Sequence, residues 1–111
     1  MAAETPSGRN DALSVRSYQI AEPDRAAFES AYGRAQAALT RSAHCLGYEL
    51  SQCSEDRGSY ILRIEWDSAE GHLRGFRSGP EFPEFLANVR PFVGAIAEMR
   101  HYEISPVCLK K

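Results

Sequence analysis

The sequence predicts an α+β domain with a ferredoxin-like βαββαβ order and a single antiparallel sheet. Four segments alternate apolar and polar residues as strands do, and two regions carry the three- and four-residue apolar spacing of amphipathic helices. These segments follow one another as strand, helix, strand, strand, helix, strand. The length of 111 residues and the 43% hydrophobic content suit one globular domain.

The chain divides into a leader, one domain and a tail. Residues 1–11 contain no apolar segment and are interpreted as a flexible N-terminal leader, residues 12–106 as the domain, and residues 107–111 as a C-terminal tail. The first strand is predicted at 13–20, where β-branched and aromatic residues are frequent. Pro23 then marks the start of a helix whose apolar stripe is Phe28, Ala31, Tyr32, Ala35, Ala38 and Leu39.

Two further strands are predicted at 46–53 and 59–66, and the polar turn at 54–58 makes them an antiparallel hairpin. A last strand is predicted at 97–104. The strand at 59–66 is apolar on both faces, since Ile61 lies opposite the set of Tyr60, Leu62, Ile64 and Trp66. One layer of helices covers one face, so a second copy of the chain is the simplest cover for the other. We therefore expect a homodimer.

The second helical region has a predicted start and a predicted inward face. Asp67 and Glu70 resemble a capping box, and the helix that follows is expected to direct Leu73 and Phe76 inward. The segment 78–81 interrupts this helix and begins a second piece, with an apolar stripe of Phe82, Phe85, Leu86 and Val89.

The charge balance and the cysteines exclude several function classes. Thirteen Lys and Arg against fifteen Asp and Glu give a net charge of −2, which argues against nucleic-acid binding and against a polybasic membrane contact. No apolar run approaches the roughly 18 residues of a membrane span. Cys45, Cys53 and Cys108 show no metal-ligand spacing with histidine, so we predict no metal site, inert thiols and a cytoplasmic location.

The segment Tyr60–Glu70 carries a resemblance to a known family. A strand that ends in Trp66, an Asp-Ser-x-Glu helix start, and Ser-x-Pro-x-Phe at 78–82 resemble the antibiotic biosynthesis monooxygenases, and Gly47-Tyr48 fits the same pattern. The resemblance covers roughly Ser14 to Ile104. It implies a dimeric α+β barrel, in which two ferredoxin-like sheets meet. It also implies oxidation of phenols, anthrones or quinols by molecular oxygen, without flavin, haem or metal.

The resemblance also implies particular site residues. Trp66 matches the family's tryptophan, whereas the positions where the best-studied oxygenases have Asn, Tyr and Arg hold Leu62, His72 and Leu86. Histidine transfers protons near neutral pH, so His72 is predicted to be the catalytic base toward a phenolic proton, with Trp66 shaping the pocket. The alternative for Trp66 is a core residue that anchors the end of the strand. The alternative for His72 is an exposed helix histidine. The haem-degrading branch does not fit, because its tryptophan and its haem-ligating histidine align near Gly75 and Phe85.

The predicted function is a cofactor-independent monooxygenase acting on a small aromatic or quinol-like substrate, with molecular oxygen as co-substrate. The predicted substrate pocket consists of Tyr18, Leu62, Phe76, Leu86 and Phe92. Two alternatives remain open on the same scaffold. One is a non-catalytic small-molecule-binding or assembly module, and the other is an isomerase or decarboxylase that uses His72.

Overall fold

The computed structural model describes residues 12–109, so the predicted leader 1–11 and the last two residues of the predicted tail lie outside the described residues. Four antiparallel strands form one sheet in the order β2-β3-β1-β4. This order confirms the ferredoxin-like prediction. The strands are β1 (Ala12–Gln19), β2 (Cys45–Gln52), β3 (Ser59–Trp66) and β4 (Ile96–Glu103).

Helical segments cover one face of the sheet. All six residues predicted for the apolar stripe of the first long helix are buried, which confirms its orientation. None of the helices within residues 12–109 is long and apolar enough to cross a bilayer. The helical segments are the long helices α1 (Arg25–Arg41) and α2 (Phe82–Val89), a π helix (Gly71–Phe76), and two 3-10 turns (Glu22–Asp24 and Arg90–Ala95).

The register of β1 against β3 decides which side chains face the helices. Trp66 pairs with Ala12, Leu62 pairs with Arg16, and Tyr60 pairs with Tyr18. Successive side chains of a strand point to opposite faces, so the inward face of β1 carries Ala12, Ser14, Arg16 and Tyr18. A charged residue therefore lies in the layer between sheet and helices.

The π helix corrects the predicted inward face of the second helical region. His72 and Phe76 are buried, whereas Leu73, predicted inward, is 47% exposed. The backbone N–H of Arg77 donates to the carbonyl of His72 at 3.1 Å, which is the i→i+5 bond of a π turn. The wider turn shifts the helix face, so the three- and four-residue spacing no longer predicts it.

The predicted capping box at Asp67 and Glu70 is also wrong. Ser68 caps this helix instead, because its hydroxyl accepts the backbone N–H of Gly71 at 2.8 Å. The carboxylate of Asp67 is engaged elsewhere, since it pairs with Nδ1 of His44 at 2.9 Å.

The other face of the sheet carries apolar side chains, as the sequence predicted. Ile61 is 47% exposed and Tyr102 is 48% exposed, and Leu13 and Val15 lie half-buried on the same face. Leu13 pairs with Tyr102 across β1 and β4, and the ion pairs Arg63–Glu49 and Arg100–Glu98 lie on the same face.

Candidate functional site

The inward face of β1 organises the candidate site, because Ser14, Arg16 and Tyr18 follow one another along it. The predicted site residues divide between the two ends of this row. Trp66, His72 and Phe76 lie at the Ser14 end, Tyr18 and Phe92 at the other end, and Leu62 beside Arg16 in the middle.

Trp66 is held rigidly at the Ser14 end. Its side chain is 1% exposed, and its indole Nε1 donates to the Ser14 hydroxyl at 2.9 Å. The indole N–H therefore has its partner within the protein. The ring centroid of Phe76 lies 5.0 Å from that of Trp66, and the His72 ring stacks on the indole at 4.5 Å with an interplanar angle of 11°.

His72 is not an exposed helix histidine, since only 2% of it is accessible to solvent. Its Nδ1 is buried and has no hydrogen-bond partner among the described residues. Burial, and after it the neighbouring charges of His101 and Arg16, lowers the pKa of His72 to about 4. The imidazole is therefore neutral near pH 7. An unpartnered buried polar atom costs about 1–3 kcal/mol, a cost that a ligand hydrogen bond would relieve.

Arg16 occupies the middle of the row. Its Nε is buried without a hydrogen-bond partner, and no carboxylate of residues 12–109 forms an ion pair with it. The guanidinium lies 5.9 Å from the centroid of the Phe85 ring. Burial, and after it Tyr18, raises the pKa of Tyr32, and the charge of Arg16 opposes this rise. The charge of Arg16 thus acts to lower the pKa of both Tyr32 and His72.

Sequence reasoning missed Arg16, although a signal for it was present. Tyr18 was recognised as a pocket candidate, and Arg16 lies two residues earlier on the same strand, hence on the same face. The resemblance directs attention to the α2 position occupied by Leu86, which is partly buried next to Phe85. The guanidinium of Arg16 approaches the same part of α2 from the sheet.

Tyr18 and Phe92 belong to an aromatic cluster at the other end. The ring centroids of Tyr18 and Phe92 lie 4.9 Å and 5.3 Å from that of Phe28, which is fully buried. The hydroxyls of Tyr18 and Tyr32 are hydrogen-bonded to each other. Aromatic rings fill this end of the row, so Tyr18 and Phe92, predicted as pocket residues, also form part of the hydrophobic core.

A cavity of about 400 Å³ lies between α1 and the strands β2 and β3. Leu62 and Tyr32 form part of its wall. The hydroxyl of Tyr60 donates to the carboxylate of Glu29 at 2.5 Å and accepts the Gln52 amide N–H at 3.1 Å. Burial, and after it the Glu29 carboxylate, raises the pKa of Tyr60 to about 12, so this phenol stays protonated at neutral pH. The volume is in the range of small-molecule sites.

Among residues 12–109, no cluster of three or more histidine, cysteine and acidic side chains could hold a metal ion. The three cysteines are free. Cys45 is half-buried, and burial raises the pKa of its thiol. It is therefore a thiol rather than a thiolate at neutral pH, which makes it a poor nucleophile.

Comparison with known proteins identifies relatives across most of the chain. The family model described as antibiotic biosynthesis monooxygenase matches residues 13–88. The uncharacterized protein YczJ of Bacillus subtilis (strain 168) is 29% identical over 76 residues, which cover 68% of this chain and 80% of that protein.

Solved structures show the same fold at low identity. A protein of Bordetella bronchiseptica superposes with a TM-score of 0.71 at 22% identity, covering 86% of this chain and 98% of that one. SnoaB of Streptomyces nogalater, a cofactor-independent oxygenase, superposes with a TM-score of 0.67 at 18% identity, covering 90% and 96% of the two chains.

Proposed function

The chain belongs to the antibiotic biosynthesis monooxygenase family, and from that premise we propose that it is a cofactor-independent monooxygenase acting on a small aromatic or quinol-like substrate. The observation that carries the proposal is the pairing of Trp66, the residue of the family motif, with a buried neutral imidazole whose Nδ1 has no partner among the described residues. The oxygenase SnoaB shares the fold and is likewise cofactor-independent.

The proposed reaction needs no electrons from the protein. A hydroquinone and one O₂ give a hydroxyquinone and one water, so that one oxygen atom enters the ring and the other leaves with two hydrogens. The substrate supplies all four electrons. The protein then has to accept a phenolic proton, orient the ring and exclude water.

We propose that the substrate ring binds in the cavity under α1 and that its reactive oxygen points toward the inward face of β1. The cavity volume of about 400 Å³ suits one or two aromatic rings. Two residues of the cavity wall adjoin Arg16. Leu62 pairs with Arg16 across the strands, and the charge of Arg16 acts to lower the pKa of Tyr32.

His72 is the proposed proton acceptor, and Trp66 is the residue that positions it by stacking. A pKa of about 4 makes His72 a weak base in the empty site. Proton transfer from a phenol leaves an oxyanion beside the imidazolium, and an adjacent opposite charge raises the pKa of a histidine. The base therefore becomes competent as the substrate ionises.

The test is oxygen uptake by the purified protein with a panel of substituted hydroquinones. General-base catalysis contributes about 10²–10⁴-fold, so His72→Gln is expected to lower kcat by at least about 10²-fold with little change in KM. His101→Gln serves as the control, because it removes an exposed imidazole 5.2 Å from the His72 ring. Equal kcat for His72→Gln and wild type would contradict the assignment. Binding without turnover in any variant would favour a binding module.

We also propose that the protein is a cytoplasmic homodimer whose two sheets meet through the face that carries Ile61 and Tyr102. The apolar part of this face, Ile61 and Tyr102, is about half-exposed in the single chain. A second copy would bury it, which is favourable by about 25 cal/mol for each Å² of apolar area.

A further inference from the structure

The side chain of Arg16 places a positive charge in the layer between sheet and helices, and no described residue supplies a counter-charge. A guanidinium stays protonated in proteins, and withdrawing it from water is costly unless it is paired. No carboxylate of residues 12–109 lies within ion-pair distance of Arg16, and its buried Nε lacks a hydrogen-bond partner there. The structure thus leaves one positive charge available for an anion.

The groups around Arg16 add no negative charge. Tyr32 has a raised pKa and remains a neutral phenol, His72 is neutral, and Phe85 offers its ring face. His72 contributes a second buried atom without a partner, its Nδ1. The His72 ring packs against Trp66 and His101, the partners of Ala12 and Ser14, and Arg16 is the next residue of β1 on the same face.

We propose that Arg16 and His72 form a subsite for one ionisable oxygen of the substrate, so that the substrate class is acidic phenols bound through the phenolate oxygen. This inference rests on the proposed function and deepens it. The phenolic proton moves to the imidazole of His72, and the resulting oxyanion accepts the Nε–H of Arg16. No other group is consumed or released in this step.

The subsite also explains a departure from the family pattern. The resemblance implies an arginine at the α2 position where this chain has Leu86. Arg16 reaches the adjacent residue Phe85 from the opposite side of the layer. In the proposed subsite, Arg16 would supply from β1 the guanidinium that the resemblance implies on α2.

The test uses 4-nitrophenol as the probe and 4-nitroanisole as its methylated control, which cannot ionise. Trp66 is the single tryptophan of the chain, so its fluorescence reports binding next to His72. The absorbance of the bound probe reports its ionisation. We expect the wild type to lower the pH midpoint of nitrophenol ionisation by about one to three units, because an adjacent cation stabilises the anion.

Arg16→Gln is expected to weaken binding of the ionised probe at least about tenfold and to abolish the shift of its midpoint, because a charge-assisted hydrogen bond is lost. Binding of 4-nitroanisole should be weak and equal in both proteins. Arg74→Gln is the control variant, since Arg74 has an 82% exposed side chain on the π helix. Unchanged affinity in Arg16→Gln, equal affinity of the wild type for the two probes, or no binding to the wild type would overturn the inference.

Two further results separate this inference from the proposed function. If Arg16→Gln fails to fold, the wild type alone tests the subsite: a lowered ionisation midpoint of bound 4-nitrophenol supports it, and an unshifted midpoint refutes it. An Arg16-dependent midpoint shift without oxygen uptake on any hydroquinone would retain the subsite and refute the monooxygenase. Oxygen uptake with unchanged KM and kcat in Arg16→Gln would support the monooxygenase and refute the subsite.

Discussion

The buried imidazole of His72 makes the stability of this domain depend on pH. The π helix turns the imidazole inward, Trp66 stacks on it, and its Nδ1 is left without a partner among the described residues. Burial dominates the resulting fall in its pKa, with smaller contributions from His101, Arg16 and Arg77. A site built this way is sensitive to protonation.

We predict that the protein loses stability as the pH falls from about 6.5 to about 4. The folded-state pKa of His72 is about 4 and the unfolded value is 6.5, so the unfolded chain binds more protons within this interval. The contribution to the free energy of unfolding is about 3 kcal/mol, and it levels off below pH 4. Urea unfolding at a series of pH values measures it.

The comparison that isolates this effect is His72→Gln against the wild type. The variant should lack this part of the pH dependence, while His101→Gln should keep most of it, because burial is the first cause of the shift. Parallel curves for wild type and His72→Gln would show that His72 does not titrate as described.

At the scale of elements, the π helix packs closely against the segment before β2. A Cβ added at Gly75 would overlap the imidazole of His44, and one added at Gly71 would overlap the carboxylate of Asp67. The His44–Asp67 pair therefore occupies space that only glycine leaves open on this helix. Gly33 on α1 is different, since a Cβ there meets no atom within 4 Å.

Gly75→Ala is expected to lower the free energy of unfolding by about 1–3 kcal/mol, because the His44 ring must move away from Asp67. Gly33→Ala, the matched control, should raise it by about 0.4–1 kcal/mol through helix propensity. Chemical denaturation measures both. Combining Gly75→Ala with His44→Ala should remove most of the loss, and a full additive loss would contradict the packing explanation.

Gly33 also gives access to the cavity under α1, because it is one of the lining residues. Gly33→Leu adds a side chain into open space and narrows the cavity without disturbing the core. We expect KM for the best hydroquinone to rise at least about tenfold, while Gly33→Ala changes it little. If Gly33→Leu leaves KM unchanged, the ring binds elsewhere.

The sequence could predict the elements but not every orientation within them. Periodicity identified the α1 stripe and the alternating strands, because regular helices and strands impose those spacings. It failed at Leu73 and His72, since a π turn changes the spacing that the prediction assumes. The resemblance marked Trp66 and His72 but not Arg16. Strand alternation places Arg16 on the same face as Tyr18, but its buried, unpartnered Nε is visible only in the structure.

At the scale of the whole molecule, the sheet has one face covered by helices and one open face with exposed apolar side chains. Ile61 on the open face and Leu73 on the π helix are both 47% exposed, so a substitution at Leu73 is a matched control for the same substitution at Ile61. Ile61→Lys should convert a dimer of 12.3 kDa chains into monomers, because the lysine charge would be buried in the contact, while Leu73→Lys should leave the dimer intact. Light scattering during size-exclusion chromatography measures the mass. A monomeric wild type at micromolar concentration would contradict the proposed dimer.

In the proposed reaction, this chain inserts oxygen into an electron-rich phenol without a cofactor. The most direct measurement is mass spectrometry of the product formed from a hydroquinone under ¹⁸O₂ by metal-free, flavin-free protein. We predict one labelled oxygen atom in the hydroxyquinone and the other in water, at a rate that falls by at least about 10²-fold in His72→Gln. An unlabelled quinone accompanied by hydrogen peroxide, or no consumption of oxygen, would contradict the claim.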